Sequence, residues 1–338
     1  MLAHEGSTMK MTTTRCLTAL VLSTLFAVAA TAQNTLQVKP PSTTTPPVVV
    51  PKDQVVYRST NIFRYNPLGL ITDNQISWRH RLYKDDSVVL RDNYFGLGLT
   101  PQVSAGYARI GALFELQPLS VLRLWGNAEV VGYFGTFGLF QSFEHATSDY
   151  SDSEISRRGA LPDGNVLKNG PAYGTQLTAG ADLQFKVGPI AARNLFRLVR
   201  GDYQMRDGDT VYYDQFYDVL AANGGAFVSN DTDILFITDF GLIAGLRFNT
   251  TMPFYGAEQF ADGVVREHTN GPTLRGGPLV TYTFFDDDRV IWNKPTVLVS
   301  TQWYALHRWR TGADVSQLVP YVVVGLQFSG DLLKLKRE

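Results

Sequence analysis

Four stretches of this chain alternate apolar and polar residues for longer than a soluble β-sheet ordinarily allows. In 107–116, Ala108, Ile110, Ala112, Phe114 and Leu116 take one face, while Tyr107, Arg109, Gly111 and Glu115 take the other. In 119–131, Leu122, Leu124, Gly126, Ala128 and Val130 alternate with Arg123, Trp125, Asn127 and Glu129. In 175–187, Leu177, Ala179, Ala181, Leu183 and Phe185 alternate with Gln176, Thr178, Asp182, Gln184 and Lys186. Segment 234–248 sets Ile234, Phe236, Phe240, Leu242, Ala244, Leu246 and Phe248 against Asp239, Gly241, Gly245 and Arg247. Successive side chains of a strand point to opposite faces, so each stretch reads as one strand with an apolar and a polar side.

Length turns this pattern into a constraint. Runs of about 10 to 15 residues exceed the roughly 5 to 6 usual in soluble sheets and match tilted strands that cross a bilayer. In hydrocarbon every backbone polar group needs a partner, which among sheets only a closed one provides. The expected fold class is therefore all-β: a transmembrane antiparallel up-and-down β-barrel, apolar outside, with water or ion pairs inside. A soluble β-sandwich also alternates, but it has no need of such long strands. Tyr83, Phe95, Tyr133, Phe134, Trp303 and Trp309 lie near strand ends, where interfacial aromatic girdles belong.

Short connections fall at Lys84–Ser87, Gln117–Ser120, Val187–Pro189 and Asn249–Met252, with a longer one at 286–295. Two strands and one loop fit between successive short turns, which gives strands near 56–65, 70–83, 88–99, 103–116, 119–134, 174–186, 190–203, 233–248, 253–262, 273–285, 296–309 and 318–329. The count is about 12; weak alternation in 56–65 and 253–262 makes 10 the alternative. The two longest loops, 136–173 and about 204–232, belong outside and the short turns in the periplasm. The aromatic-rich part of the second (Tyr203, Tyr212, Tyr213, Phe216, Tyr217) either folds inward as a constriction or caps the barrel.

The N-terminus reads as export machinery. Lys10 and Arg15 precede an apolar run from Leu17 to Ala30, closed by Ala30-Thr31-Ala32, the pattern of a signal peptide cut after Ala32. Residues 1–32 are expected to be signal, 33–54 a Pro/Thr-rich periplasmic linker, 55–330 the barrel and 331–338 a short tail. Cys16, the one cysteine, leaves with the signal, so the mature chain has no disulfide or thiolate metal site. Its 28 basic and 30 acidic residues leave a net charge of −2, which gives no reason to expect nucleic acid.

The last strand, Tyr321 to Phe328, resembles the C-terminal assembly signal of bacterial outer-membrane β-barrel proteins, with Gly325 three residues before Phe328. It departs from that signal in that Ser329 to Glu338 follow. The resemblance covers 56–329 and implies outer-membrane lipids and the barrel-assembly machinery as partners.

Chemistry-bearing residues are few. Glu267-His268-Thr269-Asn270-Gly271 resembles, imperfectly, the His-x-Ser-Asn cluster of outer-membrane phospholipase A and the lipid A deacylases. Asn270 stands where the serine should be, and Thr269 would point away from His268 in a strand, which leaves His268 the only catalytic candidate. Spacing in Asp149/Asp152/Glu154, Asp207/Asp209 and Asp231/Asp233 places oxygens close together, but none completes a calcium loop, and no spacing fits zinc. No metal and no cofactor are expected. The polar faces predict a lumen lined by Arg109, Glu115, Arg123, Glu129, Asp182, Lys186, Asp239, Arg247 and Arg308, paired across the interior or lining a narrow wet path. The expected function is a narrow channel for small solutes or a structural surface barrel. The alternatives are an outer-leaflet lipid hydrolase and a binding or adhesion module acting through the long loops. Gly132 to Phe140, rich in aromatics and glycines, reads as a girdle continuing into a loop or as an apolar ligand site.

Overall fold

A computed structural model describes residues 51–135, 140–168, 170–262 and 267–333. The expected signal peptide and nearly all of the expected linker lie outside the described residues. So do most of the expected C-terminal tail and part of the Gly132–Phe140 stretch.

The wall is one closed antiparallel sheet. Its strands are β1 (Asp53–Tyr65), β2 (Gly69–His80), β3 (Tyr94–Leu99) with its short continuation β4 (Gln102–Ser104), β5 (Tyr107–Leu119) and β6 (Leu122–Tyr133). After β7 (Gln141–Phe143) in a loop come β8 (Ala172–Val187) and β9 (Ile190–Tyr203). The loop strands β10 (Val211–Asp214) and β11 (Val219–Ala222) precede β12 (Ala226–Ile237), β13 (Leu242–Pro253), β14 (Thr273–Thr283), β15 (Thr296–Leu306) and β16 (Tyr321–Asp331). Each wall strand pairs with its sequence neighbour in the wall, and β1 closes on β16 from Val56↔Asp331 to Tyr65↔Val322. With β3 and β4 taken as one interrupted strand, the barrel has twelve. At about 4.8 Å between strands and about 40° of tilt, twelve strands enclose a backbone diameter of about 24 Å.

Alternation gives the barrel its two surfaces. Ile76, Leu97, Ile110, Phe114, Leu124, Val130, Leu177, Leu198, Ile234, Leu246, Val280 and Val324 are exposed on the outside, an apolar belt that in water would be a large liability. Inside stand glutamines, serines, threonines and most of the charges carried by the wall strands. Tyr83 and Trp303 lie in the outer girdles, with Phe95 edge-on to Trp78 at 5.3 Å. Tyr133 instead turns inward onto Phe140, and Trp309 belongs to the loop cap, edge-on to Tyr150 at 5.9 Å.

The count matches the sequence expectation although two strands were misplaced. The hairpin turn between β12 and β13 is 238–241, where Gly241 adopts φ +95° and the Thr238 hydroxyl both donates to the Leu242 carbonyl and accepts its N–H. The expected turn Asn249–Met252 lies within β13, paired with β12 from Asp231↔Asn249 to Val228↔Met252. The expected strand 253–262 is irregular apart from a 3-10 turn, Ala257–Gln259. Two strands, β12 and β13, read as one over 233–248 and one read where none exists cancel. Phe240 kept the apolar parity through the turn and so concealed it. Between β2 and β3 the connection is also longer than expected. Asn93 there accepts the Tyr83 N–H at 2.9 Å and donates to the Tyr83 carbonyl at 3.0 Å, imitating a strand pair.

Candidate functional site

Charges on the inner wall alternate in sign from strand to strand. Arg79 on β2 reaches Glu115 on β5 at 3.0 Å by passing over β3 at Gly96, where a Cβ would stand 3.3 Å from both side chains. Glu115, fully buried, also accepts from Ser77 (2.9 Å) and from Arg123 of β6 (2.9 Å). Arg123 continues to Asp182 on β8, which also accepts from the Trp125 indole at 3.1 Å. Gly180 leaves the space in which that indole lies. Farther round, Asp233 of β12 is clasped by Arg193 of β9 (2.6 Å) and Arg247 of β13 (2.7 Å), and Asp231 by Arg197 (3.0 Å) and Asn249 (2.9 Å). Nearer the loops, Arg109 pairs with Glu129 at 3.3 Å, and Arg58 with Asp73 at 3.5 Å. Arg79, Arg123, Arg193 and Arg197 keep roughly a quarter of their side-chain surface accessible, from 22% to 28%, on a face that only the lumen can wet.

Above these pairs the lumen is crossed by a hairpin. The connection from β9 to β12 does not project outward; β10 and β11 pair from Val211↔Ala222 to Asp214↔Val219, and β7 adds to β10 as a third strand. Its period-2 pattern serves two contacts. Tyr212, Val219 and Ala221 pack with Val131, Val199, Tyr203 and Phe227 of the wall. Val211, Tyr213 and Leu220 pack with Phe143 and Tyr150 of the cap. The hairpin lies so close to β9 that a side chain at Gly201 would overlap the Tyr212 hydroxyl.

The hairpin tip, 215–218, is tied to the opposite wall. Arg64 of β1 donates to the carbonyls of Phe216 and Gln215, both at 2.8 Å, and Gln215 donates to the Leu68 carbonyl at 3.1 Å. Asp218, with φ +54°, is the hub: it accepts from Tyr213 (2.7 Å), from Tyr304 of β15 (2.7 Å) and from Arg310 (2.7 and 3.1 Å). His307 Nδ1 accepts the backbone N–H groups of Trp309 (3.0 Å) and Arg310 (3.2 Å), so its proton sits on Nε2, 3.3 Å from Asp218. Burial alone would raise the Asp218 pKa, but Arg310 and His307 hold its carboxyl well below the usual carboxylate range. Asp214, four residues back, is raised by burial, against the hydrogen bond from the Tyr217 N–H.

Arg310 also forks onto Asp152 at 2.8 and 2.9 Å. Asp152 opens α1 (Asp152–Gly159), capped by the Ser151 side chain, which accepts the Glu154 N–H at 3.1 Å. Hairpin, helix and the β15–β16 loop therefore form one cap.

Of the lumen residues expected from sequence, Arg109, Glu115, Arg123, Glu129, Asp182 and Arg247 stand on the inner face in the pairs just described, and Lys186 shares the inward parity of β8. Asp239 stands instead in the exposed turn 238–241, because β12 ends at Ile237. Arg308 lies past the end of β15 in the cap, donating to the carbonyls of Ser148 (3.0 Å) and Thr147 (2.9 Å) and to Asn270 (3.0 Å). Sequence reasoning passed over Arg79, Arg193 and Arg197, although i, i+4 spacing in β9 puts the last two on one face. Asp231 and Asp233, which the sequence places at the edge of the second long loop, are wall residues whose i, i+2 spacing is that of one strand face.

His268 packs edge-on to Tyr255 at 4.6 Å, in the loop between β13 and β14, and its buried Nδ1 has no hydrogen-bond partner among the described residues. Burial, then Arg308, lowers its pKa, and no hydroxyl of a described residue bonds to it. Asn270 ties the loop to the cap through Ala146 and Tyr255. The acidic clusters are met by arginines: Asp152 by Arg310, Glu154 by Arg157 and Arg158, Asp209 by Arg206. No group of three or more metal-ligating residues occurs among the described residues.

A closed twelve-strand sheet with an apolar exterior, a charged interior and long loops at one end decides the architecture. The chain is a membrane-spanning β-barrel of the outer-membrane type. No known family's sequence profile matches it, and no curated protein does. Among solved structures, the KdgM porin is 11% identical, covering 81% of this chain and 98% of its own, with a TM-score of 0.33. OccAB1 of Acinetobacter baumannii is 9% identical (83% and 96% covered, TM-score 0.35), and the toluene transporter TodX of Pseudomonas putida 10% (89% and 94%, TM-score 0.35). The assignment of this barrel rests on its own strand pairing and surface.

Proposed function

We propose that this barrel is an outer-membrane channel for small solutes, narrowed at its extracellular mouth by the β10–β11 hairpin. The observation that carries the reading is the wetted arginine–carboxylate wall beneath the hairpin. A barrel built only as scaffold needs no accessible charge in its interior, whereas an aqueous path needs walls that replace hydration. Lipids of the outer membrane contact the apolar belt, and the barrel-assembly machinery receives β16, where Phe328 packs edge-on to Trp292 at 5.0 Å.

Single-channel recording of the refolded protein in a planar bilayer tests this. Discrete steps are expected, larger when residues 211–222 are replaced by a short Gly/Ser bridge. Silence from both folded proteins would reject the channel.

A further inference from the structure

The paired charges do not encircle the barrel. On β14, β15, β16 and β1 the inward residues include Arg275, Arg58 and Arg64 but, above the terminal Asp331, no carboxylate. Arg58 has Asp73, and Arg64 is spent on the hairpin carbonyls. Arg275 has no ion-pair partner among the described residues. Its guanidinium lies over the Tyr321 ring at 4.2 Å, Nε donates to Gln302 at 3.1 Å, and Nη1 reaches the Tyr304 hydroxyl at 3.4 Å. Nη2 makes no hydrogen bond to a described residue.

We infer that Arg275, held over the Tyr321 ring below the hairpin, is a binding seat in the lumen for a small carboxylate anion. An aromatic shelf and one neutral amide fix the orientation of a guanidinium without neutralising it. The remaining donors, Nη2 and the weakly engaged Nη1, form the fork that takes the two oxygens of a carboxylate. Gln302, itself donating to Ser300 at 2.9 Å, and the Tyr304 hydroxyl supply the polar surround. The other wall arginines are a poorer seat, since an anion there must displace a protein carboxylate or, at Arg64, the hairpin carbonyls already in place. The seat also adjoins the latch, because the Tyr304 hydroxyl that touches Arg275 donates to Asp218.

The proposal deepens the channel reading and rests on it for the route by which the anion arrives. Two measurements on the refolded full chain separate the two ideas: acetate block of chloride current, and thermal unfolding in acetate against chloride at equal ionic strength. Millimolar acetate is expected to interrupt the current and raise the unfolding temperature. R275Q should raise the blocking concentration at least tenfold and abolish the thermal shift, and R275K, which keeps the charge without the fork, should fall between. Equal acetate effects on the natural protein and on R275K would overturn the seat even if R275Q failed to fold. An acetate-specific thermal shift in a protein that passes no current would sink the channel and keep the seat; no acetate effect in either measurement would sink the seat.

Discussion

Tyr304, on the wall, donates its hydroxyl to Asp218, at the tip of the inward hairpin, across 2.7 Å and 86 residues of sequence. Both side chains are almost wholly buried, so the bond forms where water competes little. Around that carboxylate Tyr213, Arg310 and His307 complete a shell which holds the hairpin across the lumen.

Removing the charge at the hub should release the hairpin without opening the barrel. Asp218→Asn leaves Arg310 with Asp152 as its one carboxylate among the described residues and costs about 3–5 kcal/mol of hairpin closure. Hydrogen exchange of amides 211–222 should accelerate while that of β8 and β9 stays slow. Unchanged exchange across 211–222 would mean that packing, not the latch, holds the hairpin.

The two hairpin aspartates give pH dependences of opposite sign. Asp218, lowered when folded, adds stability above the unfolded carboxylate pKa of about 3.9, and that stability is lost as pH falls through its folded value. Asp214, raised when folded, favours the closed hairpin below that unfolded value, and its contribution is lost as pH rises through the folded one. Channel current against pH should therefore pass through a minimum near the unfolded carboxylate pKa, at about pH 4. Asp214→Asn should remove the rise on its alkaline side, and Asp218→Asn the rise on its acid side. A flat profile from pH 3 to 7 would contradict both assignments.

The wall makes a separate prediction. Glu115→Gln leaves Arg79 without its carboxylate and Arg123 with Asp182 only, in a position with no exposure. We expect a stability loss of about 3–5 kcal/mol by denaturant titration, together with a shift of the reversal potential towards anions.

The Tyr212 hydroxyl is buried with no hydrogen-bond partner among the described residues, against Gly201. Tyr212→Phe should be neutral or stabilise by about 1 kcal/mol, since it removes an unpaired polar group. Gly201→Ala should destabilise by about 1–3 kcal/mol through overpacking. A large loss in Tyr212→Phe, measured by thermal unfolding, would reveal a partner for that hydroxyl.

What the sequence made legible follows from the range of the interactions involved. Alternation in 107–116 and 175–187 is local, and it exposed the two faces of β5 and β8 directly. The turn at 238–241 was hidden because Phe240 preserved an apolar rhythm that Gly241 had ended. The aromatic loop read equally well as inward constriction or outward cap. Only the folded chain brings Arg64, Tyr304 and Arg310 to residues 215–218, and no spacing in the sequence encodes that meeting. Arg275 escaped notice for the opposite reason: what sets it apart is the carboxylate its neighbours lack.

The hairpin's anchorage has a consequence for the order of assembly. Arg64 belongs to the first strand of the wall, whereas Tyr304 and Arg310 flank the end of β15, next to the last. These two ends of the wall become neighbours only when β1 zips onto β16. Until that seam closes, the anchorage of the hairpin tip is in two pieces, with Arg64 for the carbonyls of Gln215 and Phe216 on one edge and Tyr304, His307 and Arg310 for Asp218 on the other. Its docking is thus a local record of ring closure, so an unfinished barrel is distinguished from a finished one at its mouth as well as at its seam.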